Sequence, residues 1–469
     1  MERVSRRAHT GSSRVMRIGA IGVALMLIAG ACSDDESADP GTEPTTPAAT
    51  EPDATEPAAT EPAATEPDAT EPAATEPAAT EPPGEVNFNT SFPDLGPPTG
   101  EPMLIGLVNS EGTPGLDFPE LRLDVDGAVD YLNLHGGIGG RPVTIENCTV
   151  NGSPETSQAC AQELTGKGVE MVLLGLDLFP DYATYTAANV PVVGVLPILP
   201  GDYTANALFL TGGNATTMAS AVNVAQNHFG AKTVGIVSAD NPGANSTEAT
   251  LVAALDKAGI AHTTVKGGDN ETDAGYQGLM REAASGNPDL LFSLYSDAGC
   301  IGTMRGRAAL GIEIPVITTG ICSGAEVIDQ VGDDAIGWTF IGVATQEDTP
   351  ELAILQEIMG PVLGVEPSEV DSTALGLGGL GLFLIMSTAV YANVMAADGQ
   401  EVTGQGIYDF LKTADGLTLW PGTGQIDCGA SAAYPTICSF TFPFAEYTEG
   451  GKVLTVPGLE AVDSVAYLP

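Results

Sequence analysis

Positive charge is scarce in this chain of 469 residues, in which 16 Lys and Arg stand against 61 Asp and Glu. The formal net charge is -45 at pH 7. Proteins that bind nucleic acids or anionic membrane surfaces need clustered Lys and Arg to neutralise phosphates. The composition therefore argues against both kinds of partner.

Signatures of metal centres and of catalysis are also missing. No C-x-x-C pair occurs, and the four histidines (His9, His135, His228 and His262) show no ligand spacing. No G-x-S-x-G element and no plausible Ser-His-Asp or Cys-His order is present. "GLGGLG", residues 376–381, matches the dinucleotide motif, but it lies inside an apolar run that predicts a packed helix. We predict no cofactor, no metal and no enzymatic activity.

The first 31 residues have the pattern of an export signal. Five arginines precede an uncharged run from Ile18 to Ala31. As a helix this run would reach roughly 21 Å, too short for a bilayer core of roughly 30 Å. A charged start, a short apolar core and small residues before a cleavage site are typical of signal peptides. We predict a signal peptide over residues 1–31.

The cysteine at the end of this run suggests a lipid anchor. "AGAC", ending at Cys32, resembles the lipobox of bacterial lipoproteins, in which the cysteine thiol is acylated, although Ala29 stands where Leu is usual. A plain secretory signal with an incidental cysteine is the alternative. The resemblance implies lipidation at Cys32 and attachment to the outer face of the cytoplasmic membrane.

A repeat with a period of five residues follows Cys32. "TEPAATEPDATEPAATEP" carries a proline in each unit, which blocks helix continuation, and its glutamates repel one another. The segment has almost no apolar bulk with which to form a core. We predict that residues 32–100 are a disordered linker.

Six cysteines follow Cys32, and six allow fifteen pairings. An exported chain favours disulfides over free thiols. Proximity in sequence favours three bonds, which are Cys148–Cys160, Cys300–Cys322 and Cys428–Cys438.

The remaining 369 or so residues alternate apolar strands with amphipathic helices. "MLIGLV", "VEMVLLG", "VPVVGV", "TVGIVSAD" and "IPVITTG" have the character of buried parallel strands. The second helix is predicted from Ser153 to Lys167, and Gly136 is predicted to stop the first. The alternation starts afresh near Leu210, which indicates two α/β lobes. In parallel sheets, ligands bind beyond the carboxyl ends of the strands.

The order of these elements resembles a known family. "IGLVNSEGTPG" with "GAVDYLNLHGGIGGRPVTIEN", and later "FGAKTVGIVSADNPGANSTEATLVAALDKAGI", resemble type I periplasmic binding proteins of the leucine/isoleucine/valine-binding branch. The resemblance implies two Rossmann-like lobes with parallel sheets, joined by three crossovers. It implies one lobe from residues 101–210 plus about 341–420, and a second from residues 211–340 plus about 421–469. It also implies a small-molecule solute and an ABC permease in the membrane as partners.

The loops after the strands differ from those of family members that bind amino acids as ligands. "GLDLFPD", "LPILPG" and "TTGICSG" replace polar or acidic clamps, which suggests a more apolar ligand. Asp177, Glu111 or Asp297 would instead suit a cationic or hydroxylated ligand. The candidate ligand-binding residues are Ser110, Glu111, Asp177, Leu178, Pro197, Asn241, Tyr295, Ser296 and Thr319.

The leading hypothesis is a solute-binding lipoprotein of an ABC import system, with an amino-acid-like or more apolar ligand between its lobes. The alternatives are a ligand-sensing module for a membrane signalling partner, an enzyme acting in the cleft, and a purely structural surface protein.

Overall fold

A computed structural model describes residues 96–113, 116–342, 345–375, 378–418, 420 and 425–469. The predicted signal peptide, Cys32 and nearly all of the predicted linker lie outside the described residues.

The first sheet contains five parallel strands. They are β1 (Met103–Ser110), β2 (Val143–Val150), β3 (Met171–Leu174), β4 (Val192–Gly194) and β5 (Leu208–Phe209). Their order is β2-β1-β3-β4-β5, with β1 paired to both β2 and β3. β3 and β4 are fully buried and apolar because helices cover both faces of the sheet.

The second sheet contains seven strands, five of which are parallel. The parallel strands are β6 (Thr233–Ala239), β7 (Ala261–Gly267), β8 (Leu290–Leu294), β9 (Val316–Thr319) and β10 (Trp338–Ile341). Late strands in the chain add an antiparallel edge and two small sheets. These are β11 (Asp415–Thr418), β12 (Gln425–Asp427), β13 (Thr441–Phe442), β14 (Phe444–Tyr447), β15 (Val453–Thr455) and β16 (Val462–Asp463). The order in the large sheet is β15-β14-β10-β9-β8-β6-β7.

Eleven helices are described, and they cover both sheets on both faces. On the first sheet, α1 (Pro119–Leu132), α9 (Pro350–Leu363), α10 (Gly378–Ala397) and α11 (Gly404–Thr413) share one core, and α2 (Pro154–Lys167) and α3 (Tyr182–Ala188) share the other. On the second sheet, α4 (Gly213–Asn227) and α5 (Pro242–Ala258) pack on one face, and α6 (Asp273–Ala283), α7 (Asp297–Leu310) and α8 (Ala325–Val331) on the other. The predicted α/β class with parallel sheets is confirmed.

Helix boundaries follow from capping chemistry at α2 but not at α1. Ser153 caps α2, accepting from the Thr156 backbone N–H, and Gly168 ends it in the left-handed conformation, so the helix agrees with the predicted span to within one residue. The prediction that Gly136 stops α1 is wrong, because α1 ends at Leu132. The Gly137 N–H then donates a hydrogen bond to the Leu132 carbonyl (2.7 Å). In a longer helix, this carbonyl would have accepted a hydrogen bond within the helix instead.

α10 is the apolar helix that contains most of the GLGGLG motif. It is long and apolar enough to cross a membrane by composition, but 72% of the relevant window is buried inside the protein. It packs on α1 so closely that a Cβ at Gly381 would clash with the backbone carbonyl of Leu121. Gly381 of this motif therefore belongs to a helix–helix contact.

The structure contains the three disulfides that sequence proximity favoured. Cys148–Cys160 joins β2 to α2, Cys300–Cys322 joins α7 to the turn after β9, and Cys428–Cys438 closes a loop of the C-terminal segment. Each bond closes a short loop within one part of the fold, which limits the freedom of the unfolded chain.

Candidate ligand-binding cleft

The carboxyl ends of the two sheets meet at one place. β5 ends the first sheet at Phe209, and α4 begins directly afterwards at Gly213 and packs on the second sheet. Asn214, in the first turn of α4, donates through Nδ2 to Oγ1 of Thr247 in α5 (3.2 Å), and α5 follows β6 directly. The loops after both sets of strands therefore border the same space, which is where α/β sheets bind ligands.

A contact between the two parts of the fold lies ahead of α10. A short 3₁₀ turn spans Ser372–Ala374. The Ser372 hydroxyl is buried and donates to the carbonyl of Thr345 (3.1 Å), which follows β10. A Cβ at Gly324, after β9, would lie 3.8 Å from the Thr373 carbonyl oxygen. Sequence reasoning missed this segment because it follows no strand, although a polar "DST" ahead of an apolar helix was an available signal.

At the end of β1, both predicted ligand residues already have protein partners. Ser110 is buried, and its hydroxyl donates to the carbonyl of Leu176 (2.7 Å), which joins the loops after β1 and β3. Glu111 forms an ion pair with Arg122 of α1 (Oε1 to Nε, 3.0 Å). The Glu111 charge is therefore compensated within the protein.

The loop after β3 is organised by Asp177. This carboxyl is only 3% exposed and accepts from the Ser157 hydroxyl (2.7 Å) and from the Phe179 backbone N–H (3.0 Å). Burial raises the pKa of Asp177, and these two hydrogen bonds partly offset the rise. The bonds hold Leu178 and Phe179 in place. Pro197, after β4, is buried.

Apolar side chains cover this carboxyl end of the first sheet. Leu116 packs against Gly152 so closely that a Cβ there would clash with it, and Leu178 lies on the same glycine. Phe179 beside them is 41% exposed. On the second sheet, Ile321 in the turn after β9 is 48% exposed. Phe179 and Ile321 are therefore large apolar side chains that stay exposed in loops after the parallel strands, one on each sheet.

On the second sheet, two of the predicted residues have structural roles. Asn241 caps α5, accepting through Oδ1 from the N–H groups of Gly243 (3.1 Å) and Ala244 (2.9 Å). Tyr295 is 3% exposed and meets the ring of Tyr276 edge-on at 5.7 Å, within the core under α6 and α7. Both side chains shape the loops after their strands.

The ends of β8 and β9 are held together by the Cys300–Cys322 disulfide. Ser296 occupies the N-cap position of α7 without making a side-chain cap, and Thr319 does the same for the turn after β9. Asp297 follows with a positive φ of 41°, which is uncommon for a residue other than glycine. Burial raises the pKa of the Asp297 carboxyl.

A cavity lies elsewhere in the described part of the chain. It has a volume of about 670 Å³ and is lined by residues such as Arg141, Glu170 and Val402. Arg141 and Glu170 form an ion pair at the amino ends of the strands. That end of a parallel sheet is opposite to the one at which ligands bind. Within the described ranges, no group of three or more His, Cys, Asp or Glu could hold a metal ion.

Comparison with known proteins gives one family and several similar structures. A family model described as periplasmic binding protein matches residues 105–430. No curated protein matches. An ABC transporter substrate-binding protein from Sphaerobacter thermophilus is 18% identical with a TM-score of 0.59, and the match covers 78% of this chain and all of that one.

Two further similar structures contain ligands. The branched-chain amino acid transporter substrate-binding protein LivJ from Streptococcus pneumoniae, in complex with isoleucine, is 16% identical with a TM-score of 0.51, over 76% of this chain and 99% of that one. A solute-binding protein of an ABC transporter from R. palustris, in complex with 4-hydroxybenzoate, is 18% identical with a TM-score of 0.52, over 76% of this chain and 95% of that one. At these identities the likeness concerns the fold.

Proposed function

Because this chain belongs to the family of periplasmic binding proteins, we propose that it captures a small organic molecule between its two lobes and delivers it to an ABC permease. The proposal treats the chain as a binding protein and not as an enzyme. The observation that supports it best is that the carboxyl ends of both sheets border one space, since binding loops of α/β lobes lie at those ends.

The mechanism is closure of the two lobes around the ligand. A ligand that contacts both lobes favours the closed state by its differential affinity for that state. We assign residues 101–210 and about 341–420 to one lobe, and residues 211–340 and about 421–469 to the other. With this assignment the chain crosses between the lobes near residues 210, 340 and 420, and the hinge lies at these crossings.

In this proposal the predicted residues have two kinds of role. Phe179 and Leu178 on one side, and Ser296 and Thr319 on the other, face the ligand. Ser110, Glu111, Asp177, Pro197, Asn241 and Tyr295 fix the loops that present these side chains. Support for the second group comes from their burial and from hydrogen bonds already made within the protein.

The N-terminal segment places this binding protein at the cell surface. After export, Cys32 becomes the acylated N-terminus, and residues 33–100 form a tether. In the extended polyproline limit such a tether reaches roughly 200 Å at about 3.1 Å per residue, and a real coil is shorter. The anchored protein stays close to the permease that it supplies.

A thermal-shift screen of the purified protein against amino acids, amides, short peptides and aromatic acids tests the proposal. A ligand that binds only the folded state raises stability by RT ln(1 + [L]/Kd), about 2.7 kcal/mol at 100 times Kd. We expect at least one compound to raise the melting temperature without being consumed. Turnover of that compound would show an enzyme instead, and the absence of any stabilising compound would contradict the proposal.

A further inference from the structure

The loop after β4 has few backbone groups that can hold its shape. Its sequence, "LPILP", runs from Leu196 to Pro200 and has proline at positions 197 and 200. Proline has no backbone N–H, so the only backbone donors from position 197 to position 200 are those of Ile198 and Leu199. Both donate to one oxygen, Oδ2 of Asp202, at 2.7 and 2.8 Å. A single carboxylate therefore fixes the backbone of this loop.

The other oxygen of Asp202 binds the neighbouring loop. Oδ1 accepts a hydrogen bond from the hydroxyl of Tyr182 (2.7 Å), the first residue of α3, which directly follows the loop after β3. Burial and the negative charge of Asp202 raise the pKa of Tyr182, so the hydroxyl keeps its proton and remains a donor. Asp202 itself is only 4% exposed. It therefore joins the loops after β3 and β4 at a point that is buried from water.

Capping of a short turn explains only part of this arrangement. Asp202 is the third residue of the 3₁₀ turn Pro200–Thr204, and an acid at that position often accepts from the N-cap N–H, here that of Leu199. The bonds from Ile198 and Tyr182 lie outside that motif. They connect the cap to the loop before it and to a neighbouring helix. Asp202 therefore holds more of the fold than the turn that it caps.

The loop that Asp202 holds lies where the chain passes from the first sheet to the second. Gly213, the first residue of α4, has a positive φ of 57°. A Cβ at this glycine would lie 3.0 Å from the carbonyl oxygen of Pro197. α4 packs on the second sheet. The loop after β4 therefore borders both parts of the fold, at the space in which the proposed function places the ligand.

We propose, on the basis of the function proposed above, that Asp202 is a positioning residue of the cleft, which holds the loops after β3 and β4 as one wall before a ligand binds. The bonds from Ile198 and Leu199 set the shape of the loop after β4, and the bond from Tyr182 couples it to the loop after β3. A ligand then does not have to order these loops when it binds, so the entropic cost of binding is smaller.

Hydrogen exchange on the purified protein without ligand tests whether this wall is preformed. From position 197 to position 200, only the amides of Ile198 and Leu199 can exchange, so a proteolytic peptide that covers the loop reports on these two bonds. We expect exchange in this peptide to be about tenfold faster in Asp202→Ala than in the wild type. Asp202→Asn should keep the slow rate, because its amide oxygen can accept both bonds and its NH₂ group can donate to Tyr182. Equal exchange rates in the wild type and Asp202→Ala would overturn the inference.

A milder variant, Tyr182→Phe, tests the coupling of the two loops even if Asp202→Ala does not fold. Tyr185→Phe, which removes the hydroxyl of a buried ring on the same helix, is the matched control. Isothermal titration uses the compound with the largest thermal shift, from a screen that includes isoleucine and 4-hydroxybenzoate, the ligands of two similar structures. All variants are measured at a temperature at which circular dichroism shows them fully folded. We expect Tyr182→Phe to weaken this compound about tenfold, and Tyr185→Phe and Asp202→Asn to change its affinity less than about twofold.

These measurements keep the inference distinct from the proposed function. A compound that bound the wild type and Tyr182→Phe equally well would overturn the positioning role of Asp202 and leave the solute-binding role standing. If no compound of any class bound, both proposals would fail.

Discussion

Asp124 of α1 provides a sharp test of the packing around the first sheet. Its carboxyl is 4% exposed, and its Oδ2 atom has no hydrogen-bond partner among the described residues. Burial raises its pKa from 3.8 to about 7, and the charge of Glu120 adds to the rise. α10, which packs against α1, contributes no charged side chain between Gly378 and Ala397. Below about pH 7 the folded protein therefore holds this carboxyl in its neutral form.

The direction of the pH effect follows from the two protonation states. Well below pH 3.8 the carboxyl is protonated in both the folded and the unfolded chain, so it has no effect on stability. Between pH 3.8 and about 7 the unfolded chain ionises first, and the folded state loses stability as the pH rises. Above about pH 7 the loss is complete. At about 1.4 kcal/mol per pH unit, this loss amounts to about 4 kcal/mol.

Asp124→Asn removes the ionisation and preserves the shape of the side chain. We expect the variant to be more stable than the wild type by about 4 kcal/mol at pH 8 and by about 1 kcal/mol at pH 4.5. Urea unfolding followed by circular dichroism at both pH values measures the difference. Asp130→Asn, an exposed position on the same helix, is the control and should change stability by about 0.5 kcal/mol or less at either pH. If the Asp124→Asn variant were destabilised to the same extent at both pH values, the reasoning from burial would be refuted.

Other regions of the fold give three further predictions. Replacing Cys300 and Cys322 by Ala should lower the free energy of unfolding by about 3 kcal/mol, since the bond spans 22 residues; unchanged denaturant midpoints would contradict this. Gly381→Ala should lower the melting temperature, because the new Cβ would meet a backbone carbonyl of α1. Gly278→Ala, at a position in α6 with open space around it, should instead raise the free energy of unfolding by up to about 1 kcal/mol. Similar effects at both sites would be inconsistent with the packing. Phe179→Ala should leave stability within about 0.5 kcal/mol but reduce the thermal shift caused by an identified ligand; a full shift in the variant would remove this residue from the binding surface.

The parallel strands were predictable because each is an apolar run bounded by turn residues. Burial on both faces of a sheet requires continuous apolar sequence, and β3 and β4 show it. The start of α2 at Ser153 was also predictable, because the cap depends on residues that are close together in the sequence. By contrast, β13 and β16 have two residues each and pair with each other across a long separation in sequence. No periodicity exists in so short a strand, so such pairs cannot be found from the sequence.

The candidate cleft was predictable in outline and not in its contacts. Loops after strands can be located from the sequence, which is how Asp177 and Asn241 were chosen. Whether such a side chain points toward a ligand or bonds to its own loop depends on neighbours distant in the chain. Asp177 bonds to Ser157, twenty residues away, and Ser110 to Leu176. Long-range partners of this kind follow from the tertiary fold, and no local pattern encodes them.

Small-angle X-ray scattering of the purified protein, with and without the compound that gives the largest thermal shift, measures lobe closure most directly. The account predicts that saturating ligand reduces the radius of gyration and stabilises the protein over the same concentration range. A radius of gyration that stays the same while the ligand binds would contradict closure of two lobes around a solute.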